Sequence, residues 1–198
     1  MARFLVLLLV LVGLAWWWLR PDEIARPDGV LAPDDPVQED LRDGPHFALG
    51  AYDLHALARF ELQARVLSAE RYRSDREAEL SPVDLALGWG PMSSNQLVHA
   101  LSISQGARFY RYTWSSSTAL PVKPGDISLH SANMHMIPLD SVTRETLLAA
   151  RRGNLVHLSG WLVEVRARDG WHWRSSLSRG DTGGGACEVV AVERADLE

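Results

Sequence analysis

Apolar residues recur at every second position in several segments of this chain, which is the spacing of a half-buried β-strand. Residues 60–66 (FELQARV) alternate between apolar and polar side chains. The sequence also predicts an aromatic-rich strand at 108–114 (RFYRYTW), an extended segment at 126–137 and a last strand at 186–193. The pattern therefore indicates a domain built mainly from β-strands.

A β-hairpin is the clearest local signal in the second half of the chain. Leu155–Arg168 and Trp171–Leu177 are rich in β-branched and aromatic residues, and they flank Asp169-Gly170. An Asp-Gly pair between two such runs favours a tight turn, because glycine adopts positive φ without a steric penalty. We expect the two runs to pair as antiparallel strands.

Two short helices complete the predicted elements. One of the polar residues 93–95 is placed to cap a short helix, and Asp140 or Ser141 is placed to cap another that runs to about Arg151, with Gly153 ending it. The predicted fold class is mainly β with two short helices (α+β). In element order, with a helix followed by the apolar strand GNLVHLSGWLVEV, residues 58–193 resemble the OB-fold, a small β-barrel. An SH3-like or other open barrel would produce much the same order.

The first residues are continuously apolar. Phe4 to Leu19 (FLVLLLVLVGLAWWWL) is uncharged and lies between Arg3 and Arg20. As a helix this run spans roughly 24 Å, and flanking arginines with interfacial tryptophans extend it towards the ~30 Å of a bilayer core. The residues 1–20 are therefore predicted to be an uncleaved transmembrane anchor. A cleaved signal peptide and a buried core helix are the alternatives, but the three tryptophans occupy the place where a cleavage site needs small residues.

Charge and topology predict on which side of the membrane the rest of the chain lies. The short N-terminal tail and the large C-terminal part favour an N-in orientation, with the body in the periplasm of a bacterium and the anchor in the inner membrane. The single cysteine fits an oxidising compartment, where an unpaired thiol is a liability. The predicted organisation is an anchor at 1–20, an acidic Pro-rich linker at 21–45 and an extracytoplasmic β-rich domain at 46–198.

The acidity of the chain lies in that linker. Residues 20–45 carry eight acids and three arginines, a net charge of −5, and the whole chain also has a formal charge of −5. Five prolines and few large apolar residues predict a stalk that does not order itself and that like charge holds away from an anionic membrane. The acidic overall balance and the lack of a basic tract argue against a dedicated nucleic-acid-binding protein.

Catalytic chemistry, if present, would use Cys187. An anchored extracytoplasmic barrel with the order His135, Cys187, Arg194 resembles the sortases, whose cysteine attacks a peptide carbonyl while an arginine steadies the oxyanion. The resemblance implies a cysteine transpeptidase or hydrolase. The chain departs from the sortase pattern, because Cys187 stands in Gly-Gly-Ala-Cys-Glu rather than in Thr-Leu-x-Thr-Cys. The other interpretation is a small buried side chain that opens the last strand.

Binding chemistry would use the aromatic hairpin. Trp171 and Trp173 are two residues apart and so lie on one face of a strand, with Trp161 on the partner strand before the turn. Such rings form a platform for sugars or peptides, or simply pack across the strands. Arg179 precedes the glycine-rich loop 180–185 and could hold an anion there. His130 and His135 would point to opposite faces of a strand, so no metal site and no cofactor are predicted.

Three segments together, SPVDLALGWGPM (81–92), SANMHMIP and DTGGGACE, resemble an uncharacterised family of small membrane-anchored proteobacterial proteins with an OB-like β domain. This resemblance implies no activity. The leading expectation is a membrane-anchored periplasmic binding or accessory module for another envelope protein, a peptide or a glycan, with no nucleic acid. The alternatives are the cysteine enzyme and a structural scaffold for a membrane protein complex.

Overall fold

A computed structural model of the protein describes residues 23–178 and 186–198. The chain forms ten strands and three α-helices within these residues, together with 3-10 turns at Glu77–Glu79 and Gly90–Ser93. The strands are β1 (Val37–Asp40), β2 (His46–Leu49), β3 (Tyr52–Arg71), β4 (Val83–Gly88), β5 (Ser102–Gly106), β6 (Phe109–Thr113), β7 (Ser131–Pro138), β8 (Leu155–Ala167), β9 (His172–Arg174) and β10 (Glu188–Leu197). The helices are α1 (Asn95–Val98), α2 (Pro124–Leu129) and α3 (Ser141–Ala149).

Five of these strands close on themselves, so the mainly β fold class is confirmed. The pairing runs β3–β4–β7–β10–β8 and returns from β8 to β3, and all pairs are antiparallel except β7 with β10. The long strand β3 makes closure possible, because it pairs with β8 over residues 52–65 and with β4 over residues 65–71. The result is a small barrel with α3 between β7 and β8.

Alternation along the strands separates an inside from an outside. Phe60, Leu85, Met134, Leu158 and Val190 belong to the buried cluster that fills the barrel. The alternate positions face outwards and carry two further buried clusters, one beneath β9 and one beneath the β5–β6 hairpin and α2. The strands therefore read as nearly continuous apolar runs where both faces are covered.

The predicted hairpin and both predicted helices are confirmed. Strands β8 and β9 pair around the turn at Gly170, whose φ is +90°. The Ser94 hydroxyl accepts a hydrogen bond from Leu97 N at the start of α1, and the Asp140 carboxylate accepts one from Thr143 N at the start of α3. The prediction of one extended segment from 126 to 137 is wrong in its first part. Those residues finish α2, which Pro124 begins at the first helical turn, a position that suits proline.

Residues 23–45 differ from the expected stalk. We call them the N-terminal strap, because they run along the barrel and pair with it. Ala32 is fully buried, and both Leu31 N and Ala32 N donate to the Ser93 hydroxyl at 3.0 Å. Strand β1 then pairs with β3 beside the barrel. The strap is ordered because the body supplies partners for its backbone and carboxylates, which its own composition does not reveal.

Within the described residues, no helix is long and apolar enough to cross a membrane. The predicted anchor at 1–20 lies outside them, so it stays a prediction.

Candidate functional site

A buried polar cluster lies on the outer face of the β4–β7 pair. Asp84 and His135 are direct neighbours across this pair, and their side chains are 0% and 5% exposed. His135 Nδ1 is 2.9 Å from Asp84 Oδ2, within ion-pair range, although the ring is not aligned for a hydrogen bond. The Ser81 hydroxyl lies 3.2 Å from Asp84 Oδ1. A carboxylate so deeply buried requires a cationic partner.

That partner is Arg108, which comes from the tip of the β5–β6 hairpin. One guanidinium nitrogen donates to Asp84 Oδ1 at 2.7 Å, and the other donates to Asp75 Oδ1 at 2.7 Å. The guanidinium carbon lies 3.8 Å from the centre of the Tyr72 ring. Arg108 therefore bridges two carboxylates and stacks on an aromatic ring, a geometry that only the planar guanidinium supports.

The hairpin turn that presents Arg108 is strained. Gly106 pairs with Phe109, so Ala107 and Arg108 form a two-residue loop, with φ of +50° and +65°. Positive φ at both positions is normal for this turn type, but asparagine or glycine usually occupies it. Two non-glycine residues here cost about 1–2 kcal/mol each. The contacts of Arg108 with Asp84 and Asp75 offset that strain.

The cluster shifts the pKa values of its outer members. Burial raises the pKa of Asp75, but the hydrogen bond and charge of Arg108 outweigh it, so the net pKa lies below the usual value. Burial raises the pKa of Tyr72 above its usual value. Near neutral pH, Asp75 is therefore ionised and Tyr72 is protonated.

The predicted catalytic residue Cys187 lies beside this cluster. Its Sγ is 3.9 Å from the Arg108 carbonyl oxygen and 4.0 Å from Asn133 Nδ2. Asn133 is also held by Gln105, whose Nε2 donates to Asn133 Oδ1 at 2.6 Å. His135 lies two residues from Asn133 on β7, and its ring centre is 4.7 Å from that of Trp173.

Arg194, the third member of the predicted catalytic set, is not brought to this place. It lies seven residues further along β10, past an irregularity in the pairing with β8. Its side chain is 75% exposed and its Nε donates to Asp196 at 2.7 Å. At 3.2–3.4 Å per residue, the strand separates Cys187 and Arg194 by roughly 20 Å. Cys187 and His135 thus share a region that Arg194 does not reach.

The predicted tryptophan platform adjoins the buried polar cluster, because the Trp173 ring contacts the His135 ring. Trp161, Trp171 and Trp173 all pack against one buried aliphatic cluster that includes Leu54 and Val163. Trp171 and Trp173 are close, with ring centres 6.3 Å apart. All three rings therefore have one side in contact with the body, as the cross-strand packing interpretation expects.

Arginines cover two of these rings. The Arg76 guanidinium lies 4.7 Å from the centre of the Trp171 ring and donates two hydrogen bonds, of 2.8 and 3.0 Å, to Asp169. The Arg59 guanidinium lies 4.6 Å from the centre of the Trp161 ring. We call this set the arginine–tryptophan surface (Arg59, Trp161, Arg76, Trp171, with the carboxylates of Asp169 and Glu193).

Glu193 completes the second stack of this surface. It pairs with Arg59 at 2.5 Å and accepts a hydrogen bond from Trp161 Nε1 at 2.8 Å. Burial raises the pKa of Glu193, but these two donors outweigh it and the net pKa is lowered. The Arg76 hydrogen bond likewise lowers the pKa of Asp169. Both carboxylates therefore stay charged to a lower pH than the same groups without these partners.

Arg179 and the glycine-rich loop lie outside the described residues, so that predicted anion site stays a prediction. In the part of the chain that the structure describes, no three His, Cys, Asp or Glu side chains are arranged to hold a metal ion.

Sequence reasoning missed Asp84 and Arg108. Asp84 lies in the apolar segment 81–92, where its neighbours gave no regular period, and Arg108 was assigned to a strand. The one local signal was Gly106 between two alternating segments, which marks a turn.

Comparison with known proteins identifies no relative. No family model matches the chain, and no curated protein or solved structure is significantly similar to it.

Proposed function

We propose that this protein is a membrane-anchored binding module whose periplasmic body is an OB-like barrel that recognises another envelope protein. The strand path β3–β4–β7–β10–β8–β3, with one parallel pair and with α3 between the third and fourth barrel strands, supports the OB-like assignment. The apolar run 4–19 supports the anchor, with the N-terminus in the cytoplasm.

The arginine–tryptophan surface carries the choice of a protein partner. Arg59, Arg76, Trp161 and Trp171 are each partly exposed and lie over one continuous apolar cluster. Tryptophan, tyrosine and arginine are the residues that dominate binding energy in protein interfaces, where they surround a dry apolar centre. Carboxylates already orient both guanidinium groups, so little side-chain entropy is lost when a partner docks.

Covered ring faces count against a glycan. A sugar ring would have to stack on the face of Trp161 or Trp171, and each of those rings carries a guanidinium at less than 5 Å. Displacing it would break the ion pair with Glu193 or Asp169. A protein partner can instead contact the guanidinium edge and leave both stacks in place.

The buried cluster around Arg108 supports a structural role rather than a reactive one. Arg108 and Asp84 neutralise each other beneath the hairpin, where both are largely shielded from solvent. A buried and mutually neutralised ion pair has little surface to offer a partner. We therefore place the function on the exposed surface.

Site-directed photo-crosslinking in the native membrane tests the proposal. A photoreactive phenylalanine analogue replaces Trp171 in the full chain, and the control carries it at Phe109, an exposed aromatic on the β5–β6 hairpin. We expect a discrete protein adduct at 171 that is absent at 109 and is lost in the Arg59→Ala, Arg76→Ala double variant. Equal adducts at both positions, or an adduct that survives the double variant, would contradict the proposed surface.

Accessibility to protease tests the topology independently. In spheroplasts the body should be digested by external protease, while a cytoplasmic control protein stays intact. If the body stays protected until the membrane is lysed, the proposed periplasmic location is wrong. That result would not contradict the proposed binding surface.

A further inference from the structure

The beginning of the N-terminal strap is fixed to one end of the barrel. Glu23 Oε1 pairs with Arg65 at 2.8 Å, and Glu23 Oε2 pairs with Arg152 at 3.1 Å. The side chain of Arg65 is only 1% exposed, and its other terminal nitrogen donates to Ser93 O and Asn95 Oδ1. Glu23 thus supplies the negative charge that a buried arginine requires.

Backbone contacts reinforce this attachment. Ile24 N donates to Arg152 O at 2.9 Å, and Arg26 Nε donates to Gly153 O at 2.7 Å. Gly153 has φ of +90°, and a Cβ there would lie 2.2 Å from Ile24 O. The close approach of the strap to the loop between α3 and β8 therefore depends on the absence of a side chain at 153.

The rest of the strap is also hydrogen-bonded to the barrel. Asn95 Nδ2 donates to Arg26 O, Gly90 N donates to Ala32 O at 2.7 Å, and Trp89 Nε1 donates to Asp35 at 3.1 Å. Strand β1, at the end of this stretch, pairs with β3. The chain between the predicted anchor and its first attachment on the barrel is therefore limited to the few residues after Arg20.

Those residues have a short reach. From Arg20 to Glu23 the chain covers three residues, which span at most about 11 Å even when fully extended. If residues 4–19 cross the bilayer, the barrel end that holds Glu23 must lie next to the lipid headgroups. The exposed residues Arg151 and His99 lie at this end, and His99 Nε2 is 3.8 Å from Glu23 Oε1.

We infer that this end of the barrel, formed by the 150–154 loop, α1 and the start of the strap, rests on the headgroups of the membrane that holds the anchor. The inference depends on the proposed anchor. Arg151 is the residue placed to contact lipid phosphate, since its neighbour Arg152 is already paired with Glu23. The opposite end, with the β8–β9 turn, then points away from the bilayer by the length of β8, roughly 40 Å along the strand.

This orientation gives the strap a different role from the one expected of a stalk. The body is held in contact with the membrane in one orientation instead of floating above it. The turn at 168–171, which carries Asp169 of the arginine–tryptophan surface, is presented to the periplasm.

Quenching by headgroup-labelled lipid tests the inference on the full chain in vesicles of zwitterionic and anionic phospholipid. A fluorophore is attached at Arg151→Cys or, as the matched control at the far end, at Arg168→Cys, both exposed arginines, in a Cys187→Ser background. A nitroxide on the lipid headgroup quenches only at short range. We expect severalfold stronger quenching at 151 than at 168.

A release variant separates docking from mere proximity. Glu23→Gln with Arg26→Ala removes the charge and one backbone anchor point of the strap, and circular dichroism checks that the barrel remains folded. The difference in quenching between 151 and 168 should then shrink. A difference that is unchanged in this folded variant, or equal quenching in the parent, would overturn the inference.

Carbonate extraction distinguishes a failure of the proposed anchor from a failure of the inferred orientation. If the full chain washes off the membrane, the anchor proposal fails and this inference fails with it. If the chain is retained and the two positions quench equally, the anchor stands and only the orientation is wrong.

Discussion

Two regions of this barrel combine arginine, carboxylate and aromatic side chains, and they differ mainly in burial. In the cluster beneath the β5–β6 hairpin, Arg108 joins Asp84, which is 0% exposed, and stacks on Tyr72. On the arginine–tryptophan surface, Arg59 joins Glu193 with both side chains about 40% exposed, at 39% and 41%, and stacks on Trp161. The same types of side chain thus form a buried cluster in one region and a partly exposed surface in the other.

The difference decides what each region does. Removing one partner of a buried pair leaves a charge without solvent or counterion, which costs about 3–5 kcal/mol. Removing one partner of an exposed pair costs about 0–1 kcal/mol, because water replaces it. The buried cluster therefore holds the hairpin on the barrel, and the exposed surface keeps its groups accessible to solvent and to the proposed partner.

Loss of Arg108 should produce the largest effect on stability. Arg108→Ala leaves Asp84 buried without its guanidinium partner, with only His135 and Ser81 beside it, so we expect the free energy of unfolding to fall by about 3–5 kcal/mol in urea denaturation. The control is Arg111→Ala, on the same hairpin but without a buried partner, which should change stability by about 0.5 kcal/mol or less. Equal losses for both variants would mean that the cluster does not hold the hairpin.

Loss of Arg59 should lower the affinity for the partner much more than the stability of the fold. Arg59→Ala removes an exposed ion pair and a cation–π contact, so the free energy of unfolding should fall by at most about 1 kcal/mol. Affinity for the crosslinked partner should fall about tenfold, because interface arginines are often hot spots of binding energy. Titration of the purified partner measures this, and unchanged affinity would remove Arg59 from the surface.

Relief of turn strain should give a smaller effect of opposite sign. Ala107 has φ of +50°, so Ala107→Gly removes a steric penalty of about 1–2 kcal/mol and adds roughly 0.5–1 kcal/mol of backbone entropy cost. We expect a net stabilisation of roughly 0.5–1 kcal/mol. Thermal unfolding measures it, and a destabilised variant would show that the turn carries no strain at this position.

Acid should weaken the exposed surface gradually. Arg76 lowers the pKa of Asp169 in the folded protein, so this group contributes stability above its unfolded pKa of about 3.9 and loses it as the pH falls through the folded pKa. The unfolding temperature of the wild type should exceed that of Asp169→Asn at neutral pH, and the gap should close as the pH falls below about 4. A gap that persists at low pH would point to a role for Asp169 other than its charge.

Local signals in the sequence predicted local structure well. Ser94 and Asp140 were among the residues predicted to cap the two helices, because capping depends on residues three positions apart, and both caps form. The Asp-Gly turn was recognised for the same reason. Strand β4 was missed because both of its faces are covered, so Val83–Gly88 is buried at every position and shows no alternation.

The candidate sites show the same difference between contacts that are local in the chain and contacts between distant segments. Trp171 and Trp173 were placed on one face by their spacing alone, and their rings are neighbours. The arginines that cover the tryptophans come from distant segments, with Arg76 lying after β3 and Arg59 within it. No spacing rule joins Arg76 to Asp169, which are 93 residues apart in the chain.

The sequence by itself determined the strands whose faces alternate, such as β3, the starts of α1 and α3 and where the acidic charge is concentrated, because these depend on neighbouring residues. Only the tertiary structure decided the fate of that acidic segment. An expected free stalk becomes a strap, because the body holds a buried arginine that Glu23 neutralises and a glycine that lets Ile24 approach. Closure of the barrel brings those partners together, and a one-dimensional pattern does not contain that information.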